Sequence, residues 1–152
     1  MMLVLTLLVR GGGAYEFTSK AELKAACDMW VTDQSTAQAT YGHIGTFGTG
    51  QITDMSFLFC NMDSAVDGSY WSECNTAFQN FDEDVSGWDT GQVTDMSYMF
   101  FYARSFDQSL NNWNTGQVTN MARMFFQADS FDQSLNSWDI SSCTNMNTMF
   151  WQ

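Results

Sequence analysis

Phe106-Asp-Gln-Ser-Leu-Asn-Asn-Trp113 recurs as Phe131-Asp-Gln-Ser-Leu-Asn-Ser-Trp138 and, in a more acidic version, as Phe81-Asp-Glu-Asp-Val-Ser-Gly-Trp88. The stretch that follows repeats equally well. Thr90-Gly-Gln-Val-Thr-Asp-Met-Ser-Tyr-Met-Phe100 is matched by Thr115-Gly-Gln-Val-Thr-Asn-Met-Ala-Arg-Met-Phe125, then by a divergent copy from Ile140 to Phe150. Every equivalent residue is displaced by 25. An irregular earlier copy runs from Phe47 to Phe59. Thr49 and Thr90 are 41 residues apart, which places an insertion between about residues 60 and 80. Self-similarity at a fixed period marks units that cannot bury their apolar faces alone and must stack.

Reading down the columns assigns the interior. Phe81, Phe106 and Phe131 form one column, Val85, Leu110 and Leu135 a second, and Trp88, Trp113 and Trp138 a third. Val93, Val118 and Cys143 follow, then Met96, Met121 and Met146, then Met99, Met124 and Met149, then Phe100, Phe125 and Phe150. A fully buried large side chain stabilises by about 1.5–3 kcal/mol, so these columns outweigh any surface pairing. Val-x-x-Met-x-x-Met-Phe has the three- and four-residue spacing of a short helix or 3₁₀ segment. Leu-Asn-x-Trp reads as a short extended piece whose copies pair in parallel. The expected fold is therefore an α/β repeat solenoid, with leucine-rich-repeat-like coils of short parallel strand, turn and short helix.

The first part of the chain differs. Thr18 to Trp30 reads as a helix of about three turns that caps the array: Ser19 and Glu22 have capping-box spacing, and Leu23, Ala26, Cys27 and Trp30 share one side. Three regions follow from this. Residues 1–13 are an apolar segment with a Gly linker, residues 14–46 a helical cap and lead-in, and residues 47–152 the repeat array. Met1 to Val9 is about half the length needed to span a bilayer. It reads as the remnant of a secretory signal, a strand packed on the first coil, or an artefact of the assigned start, and these alternatives stay open.

Seventeen acidic residues against five basic ones give a net charge of −12. That field repels phosphate backbones, so nucleic acid is not an expected partner, and no transmembrane span is expected. There is no proline, so Asn, Asp, Gly, Ser and Thr must make the turns.

The chemistry-bearing residues are few. Cys143 and Cys74 fall in core columns and read most simply as buried thiols, while Cys60 and Cys74 flank the insertion and would brace it as a disulfide if the protein is secreted. His43 is the one histidine. With no nucleophile or orienting carboxylate in sight, it reads as a turn residue of the lead-in. Asp82, Glu83 and Asp84 could hold a hard cation, yet Asp107 and Asp132 recur without the other two acids, which favours turn formation. No catalytic residue, cofactor or metal is expected. The one functional surface to name is the repeated polar columns, Thr90 and Thr115 with Thr94, Thr119 and Thr144, beside Gln92 and Gln117. The neighbouring Asp95, Asn120 and Asn145 read as satisfying turn backbone.

The repeat as a whole resembles the BspA-like, leucine-rich-repeat-related family of surface proteins, best known as the 25-residue repeat of unknown function in mycoplasma lipoproteins, other bacteria and marine algae. The resemblance covers Phe47 to Phe150, with departures at the insertion after Cys60 and at Cys143. Ala25 to Trp30 and Ala39 to Thr46 also resemble the lead-in of algal members. The resemblance implies an extracellular or cell-surface role in adhesion or ligand recognition and brings no catalytic residues. The expected function is a non-enzymatic recognition module for a protein or glycan. The alternatives are a spacer that self-associates through its last coil and, third, an ice- or glycan-binding Thr/Asn face.

Overall fold

A computed structural model describes residues 14–61 and 72–151. The apolar segment and linker at 1–13, and residues 62–71 of the insertion, lie outside the described residues, as does Gln152. Among the described residues, regular secondary structure consists of α1 (Lys20–Thr32), α2 (Gln34–Tyr41) and two 3₁₀ helices, Ile44–Thr46 and Thr76–Asn80.

Local chemistry starts and stops each of these. The Ser19 side chain accepts the Glu22 N–H, satisfying one of the donors orphaned at the start of α1. Asp33 ends α1 and begins α2, its carboxylate accepting the Thr36 N–H. Leu23, Ala26, Cys27 and Trp30 are the buried side of α1.

Beyond the helices the chain winds into four stacked tiers, 44–61, 81–103, 106–128 and 131–151. Their interior is a spine of phenyl rings. Phe59, Phe100, Phe125 and Phe150 stack in sequence at centroid distances of 5.3, 5.5 and 5.4 Å. Phe81, Phe106 and Phe131 stack beside them at 6.0 Å each. The two columns interlock, with Phe100 on Phe106 at 4.0 Å and Phe125 on Phe131 at 4.1 Å. Met96, Met121, Met99 and Met124 are buried beside them. Burial fades toward the last tier. Trp88 and Trp113 are covered, Phe131 and Trp138 are half-buried, and Met146 is exposed.

The expected α/β solenoid of the leucine-rich-repeat kind is not what forms. Among the described residues there is no β-strand; parallel pairing is reduced to isolated bridges, Glu16 with Gly48 and the series Asp54, Asp95, Asn120, Asn145. Nor is any helix present after Asn80. The architecture implied by the BspA-like resemblance is overturned by the same two observations.

The physical reason lies in the turns. The segment expected to be helical is a run of reverse turns, Met99 N–H to Met96 carbonyl, Phe101 to Tyr98 and Ala103 to Phe100. Such a run returns a side chain to the interior every three residues or so, as a helix does, and spacing alone cannot separate the two. Tyr98 and Tyr102 have φ of 58° and 56°, and Arg123, Gln127, Thr148 and Phe57 match them. Left-handed residues at this frequency exclude an α-helix and cost about 1–2 kcal/mol each. In return, alternate N–H groups point along the stack instead of up their own axis: Met96, Tyr98, Phe100 and Tyr102 donate to Asn120, Ala122, Met124 and Phe126. The segment expected to be a strand is also a turn, with the Trp113 N–H on Leu110. Its tiers are joined by side chains. The indole Nε1 of Trp88, Trp113 and Trp138 donates to the carbonyls of Ile44, Val85 and Leu110, one tier back in each case.

Those bonds also show where the first tier begins. Ile44 occupies the Val85 column, and Phe47 stacks on Trp88 at 6.3 Å as the first member of the tryptophan column.

Candidate recognition surface

The polar columns named from the sequence separate into two groups. Thr90 and Thr115 are only 2% and 1% exposed. Their hydroxyls donate to the carbonyls of Asn114 and Asp139, each at 3.0 Å, as Thr49 does to Asp89. They are internal staples between tiers and contribute nothing to an outer face, which corrects the expectation for this pair. Thr94, Thr119 and Thr144 do lie on the surface. Each hydroxyl donates to the threonine carbonyl one tier back, at 3.1, 3.1 and 3.2 Å. Their donors are committed to the stack, so a ligand meets methyls and oxygen lone pairs there. Gln92 and Gln117 are exposed next to this column.

Asp95, Asn120 and Asn145 each use Oδ1 to accept the N–H two residues on, that of Ser97, Ala122 and Asn147. Asn120 Nδ2 also donates to Asp95 Oδ2 at 3.0 Å. These are turn-forming residues. Asp84 behaves likewise toward the Ser86 N–H, whereas Asp82 and Asp107, expected to form turns, instead join tiers by accepting the N–H groups of Asp107 and Asp132. Among the described residues no group of three or more metal-ligating side chains converges. The carboxyl of Asp107 is held below the ordinary range by the Asp132 N–H and then by Gln133, and that of Asp84 by Ser86. His43 Nδ1 accepts the Gly45 N–H and its ring meets Trp30 edge-on at 4.9 Å. It holds the lead-in turn.

Cys60 and Cys74 are joined in a disulfide. The Met99/Met124 column assignment had made Cys74 read as a core thiol, but Leu58 takes that place in the first tier, in the core beside Phe59. Cys27 is fully buried, and burial pushes its thiol well above the ordinary range, which leaves it inert. Cys143 is a half-buried thiol in the last tier.

What sequence reading missed is an aromatic strip on the outer side of the turns. The left-handed residues turn their side chains outward, and these line up from tier to tier. Phe57 stacks on Tyr98 at 4.8 Å and 8°, and the Arg123 guanidinium lies over the Tyr98 ring at 5.6 Å. Beside them Phe101 stacks on Phe126 at 5.1 Å, and Phe126 on Trp151 at 6.3 Å. Tyr102 completes the strip, with Arg104 over its ring at 5.7 Å. Lys20 of α1 covers Phe57 at the near end. The available signal was the aromatic residue that follows each Met-Phe pair, Phe101, Phe126 and Trp151, 25 residues apart; helical spacing hid it.

No helix among the described residues is long and apolar enough to cross a membrane. No curated protein matches the chain, and no solved structure does. One family model matches, over residues 68–152, which is more than half of the sequence. On that match the chain belongs to the family described as Mycoplasma protein of unknown function, DUF285.

Proposed function

We propose that this chain is a non-enzymatic recognition module acting at a cell surface or outside the cell, and that it reads its ligand with the outer side of the turns. The aromatic strip carries the reading. Tyr98, Tyr102 and Phe126 are half-buried and Trp151 is exposed, so part of each residue reaches solvent while its backbone is held in the stack. Rings held in this way contribute contact area at small entropic cost. The parallel column of Thr94, Thr119 and Thr144 adds methyls and acceptors in register with them. A ring surface flanked by hydroxyls suits the CH faces and hydroxyls of an extended glycan, or a peptide of like polarity. The Cys60–Cys74 disulfide supports an oxidising compartment.

The test is binding of the intact chain to a panel of polysaccharides and to intact cells. Replacement of Tyr98 and Tyr102 by Ser should weaken binding at least tenfold, whereas Gln38→Ala on α2 should leave it unchanged. Equal loss in both, or no binding by the parent chain, would rule the surface out.

A further inference from the structure

Acidic residues outnumber basic ones by seventeen to five, yet the basic ones are not scattered. Four of the five, Lys20, Lys24, Arg104 and Arg123, fall among the described residues, and each lies over an aromatic ring. For Lys20, Arg104 and Arg123 that ring belongs to the aromatic strip. The two lysines are committed to the cap. Lys20 Nζ donates to Ser56 Oγ and Asp54 and pairs with Glu73, and Lys24 pairs with Asp28.

The two arginines are not so committed. Arg123 sits between two rings of the strip, 5.6 Å from Tyr98 and 5.9 Å from Phe126, and its Nε donates to Thr148 Oγ1 at 3.3 Å. Among the described residues no carboxylate lies within ion-pair distance of it, and its terminal amino groups have no partner. Arg104 meets Asp129 only at 3.8 Å, with the two side chains 47% and 49% exposed. An exposed pair of that kind contributes little. Packing does not demand either charge. The positions equivalent to Arg123 in neighbouring tiers hold Tyr98 and Thr148, and the one equivalent to Arg104 holds Asp129. Both arginines lie inside the stack, with hydrogen-bonded chain on either side of their turns.

We infer, on the reading of the strip as the recognition surface, that its ligand is an acidic polysaccharide, with carboxylates gripped by Arg123 and Arg104 and sugar rings laid on Tyr98, Tyr102 and Phe126. Charge selects the carboxylate. At a net charge of −12 the long-range field attracts no anion, so contact at these two forks must supply the attraction. A carboxylate brings one charge on two coplanar oxygens, the pair that a guanidinium holds in two parallel N–H···O bonds. The backbone selects the polysaccharide. Every N–H and every carbonyl from Tyr98 to Tyr102 is bonded within the protein. An extended acidic peptide laid there would find no main-chain partners, the contacts from which peptides on a backbone edge gain affinity. A polysaccharide has no amide ladder to satisfy, and the hydroxyls it does not use stay in water.

The test is calorimetric titration of the intact chain with oligosaccharides of hyaluronan, alginate and polygalacturonate, each beside the same material with its carboxyls reduced to alcohols. Polyglutamate and dextran sulfate complete the set. At least one uronate oligosaccharide should bind, and its reduced form should bind about tenfold more weakly or worse, as loss of charged hydrogen bonds implies. Arg123→Gln and Arg104→Gln should each weaken binding about fivefold or more. Lys24→Gln removes the same charge from α1 and should leave affinity unchanged. Equal affinity for the acidic and reduced forms would overturn the acidic ligand and leave the recognition role of the strip standing. So would full affinity in both arginine variants where Tyr98→Ser with Tyr102→Ser abolishes it. Tighter binding of polyglutamate or dextran sulfate than of any uronate chain would also defeat the assignment. Silence from every probe would remove both the acidic ligand and the strip's role. Thermal melting checks each variant; should Arg123→Gln melt early, Arg104→Gln, at an exposed position, carries the comparison alone.

Discussion

The first and last tiers differ in what packs against them among the described residues. At the first tier α1 lays Leu23, Ala26, Cys27 and Trp30 into the core, and its lysines, Lys20 and Lys24, reach the rings of Phe57 and Phe78. At the last tier, among the described residues, Ile140, Met146, Phe150 and Trp151 are exposed. Phe100, with a ring of its column on each side, is fully buried, whereas Phe150, with one such neighbour among the described residues, is 59% exposed.

Substitutions within one phenyl column bring out that difference most strongly. Phe100→Ala removes a ring with no exposure from between two others and should cost about 3–5 kcal/mol in a urea melt. Phe150→Ala, in the same column at the open end, should cost below about 1 kcal/mol. Similar costs at both positions would mean that the last tier is covered in solution. Next in size is the brace near the capped end. Cys60→Ser with Cys74→Ser opens a closure between residues 14 apart and should lower stability by about 3 kcal/mol. Adding a reductant to the parent chain should reproduce that loss.

A smaller effect is expected at the cap itself. Ser19→Ala removes the acceptor for the Glu22 N–H, and thermal melting should report a loss of about 1 kcal/mol. Titration adds an alkaline and an acid effect. Tyr15, beside the cap, is pushed up to about 12, first by its hydrogen bond to Glu22 and then by burial. Its folded value lies above its unfolded one, so its contribution is complete below about pH 10 and fades as pH rises toward 12. Tyr15→Phe should abolish that alkaline loss. Asp107 and Asp139, in the later tiers, are held below the ordinary range, chiefly by the N–H groups of Asp132 and Ser141. Their contribution is present above the unfolded aspartate value, near pH 4, and is lost as pH falls through the lower folded value. Asp107→Asn should flatten the acid limb alone. The smallest change should come from Gln127→Gly. A left-handed glutamine at φ 54° becomes a residue at ease there, for a gain of about 0.5 kcal/mol after the glycine entropy cost.

Much of the interior could be read in advance because burial follows composition column by column. Phe81, Phe106, Trp88, Trp113, Met96 and Met121 all lie in the core. The α1 helix was legible for local reasons, a capping Ser19 and four apolar residues at helical spacing. The conformation of the tiers was not legible. Val-x-x-Met-x-x-Met-Phe satisfies a helix template, and nothing in the residue types of Tyr98, Tyr102, Arg123 or Gln127 announces a positive φ, which is uncommon outside glycine. The outer aromatic strip and the burial of Thr90 and Thr115 depend on that conformation, so they were out of reach with it.

The chain by itself determines which side chains share a column, because a displacement of 25 residues is written in the residue types and apolar groups must leave water together. Only the tertiary structure decides how the backbone runs between those columns. A helix, a strand and a series of turns can all deliver the same apolar positions inward. The choice among them rests on where each N–H finds its acceptor, and here those of Met96, Tyr98, Phe100, Tyr102 and their equivalents find it one tier away.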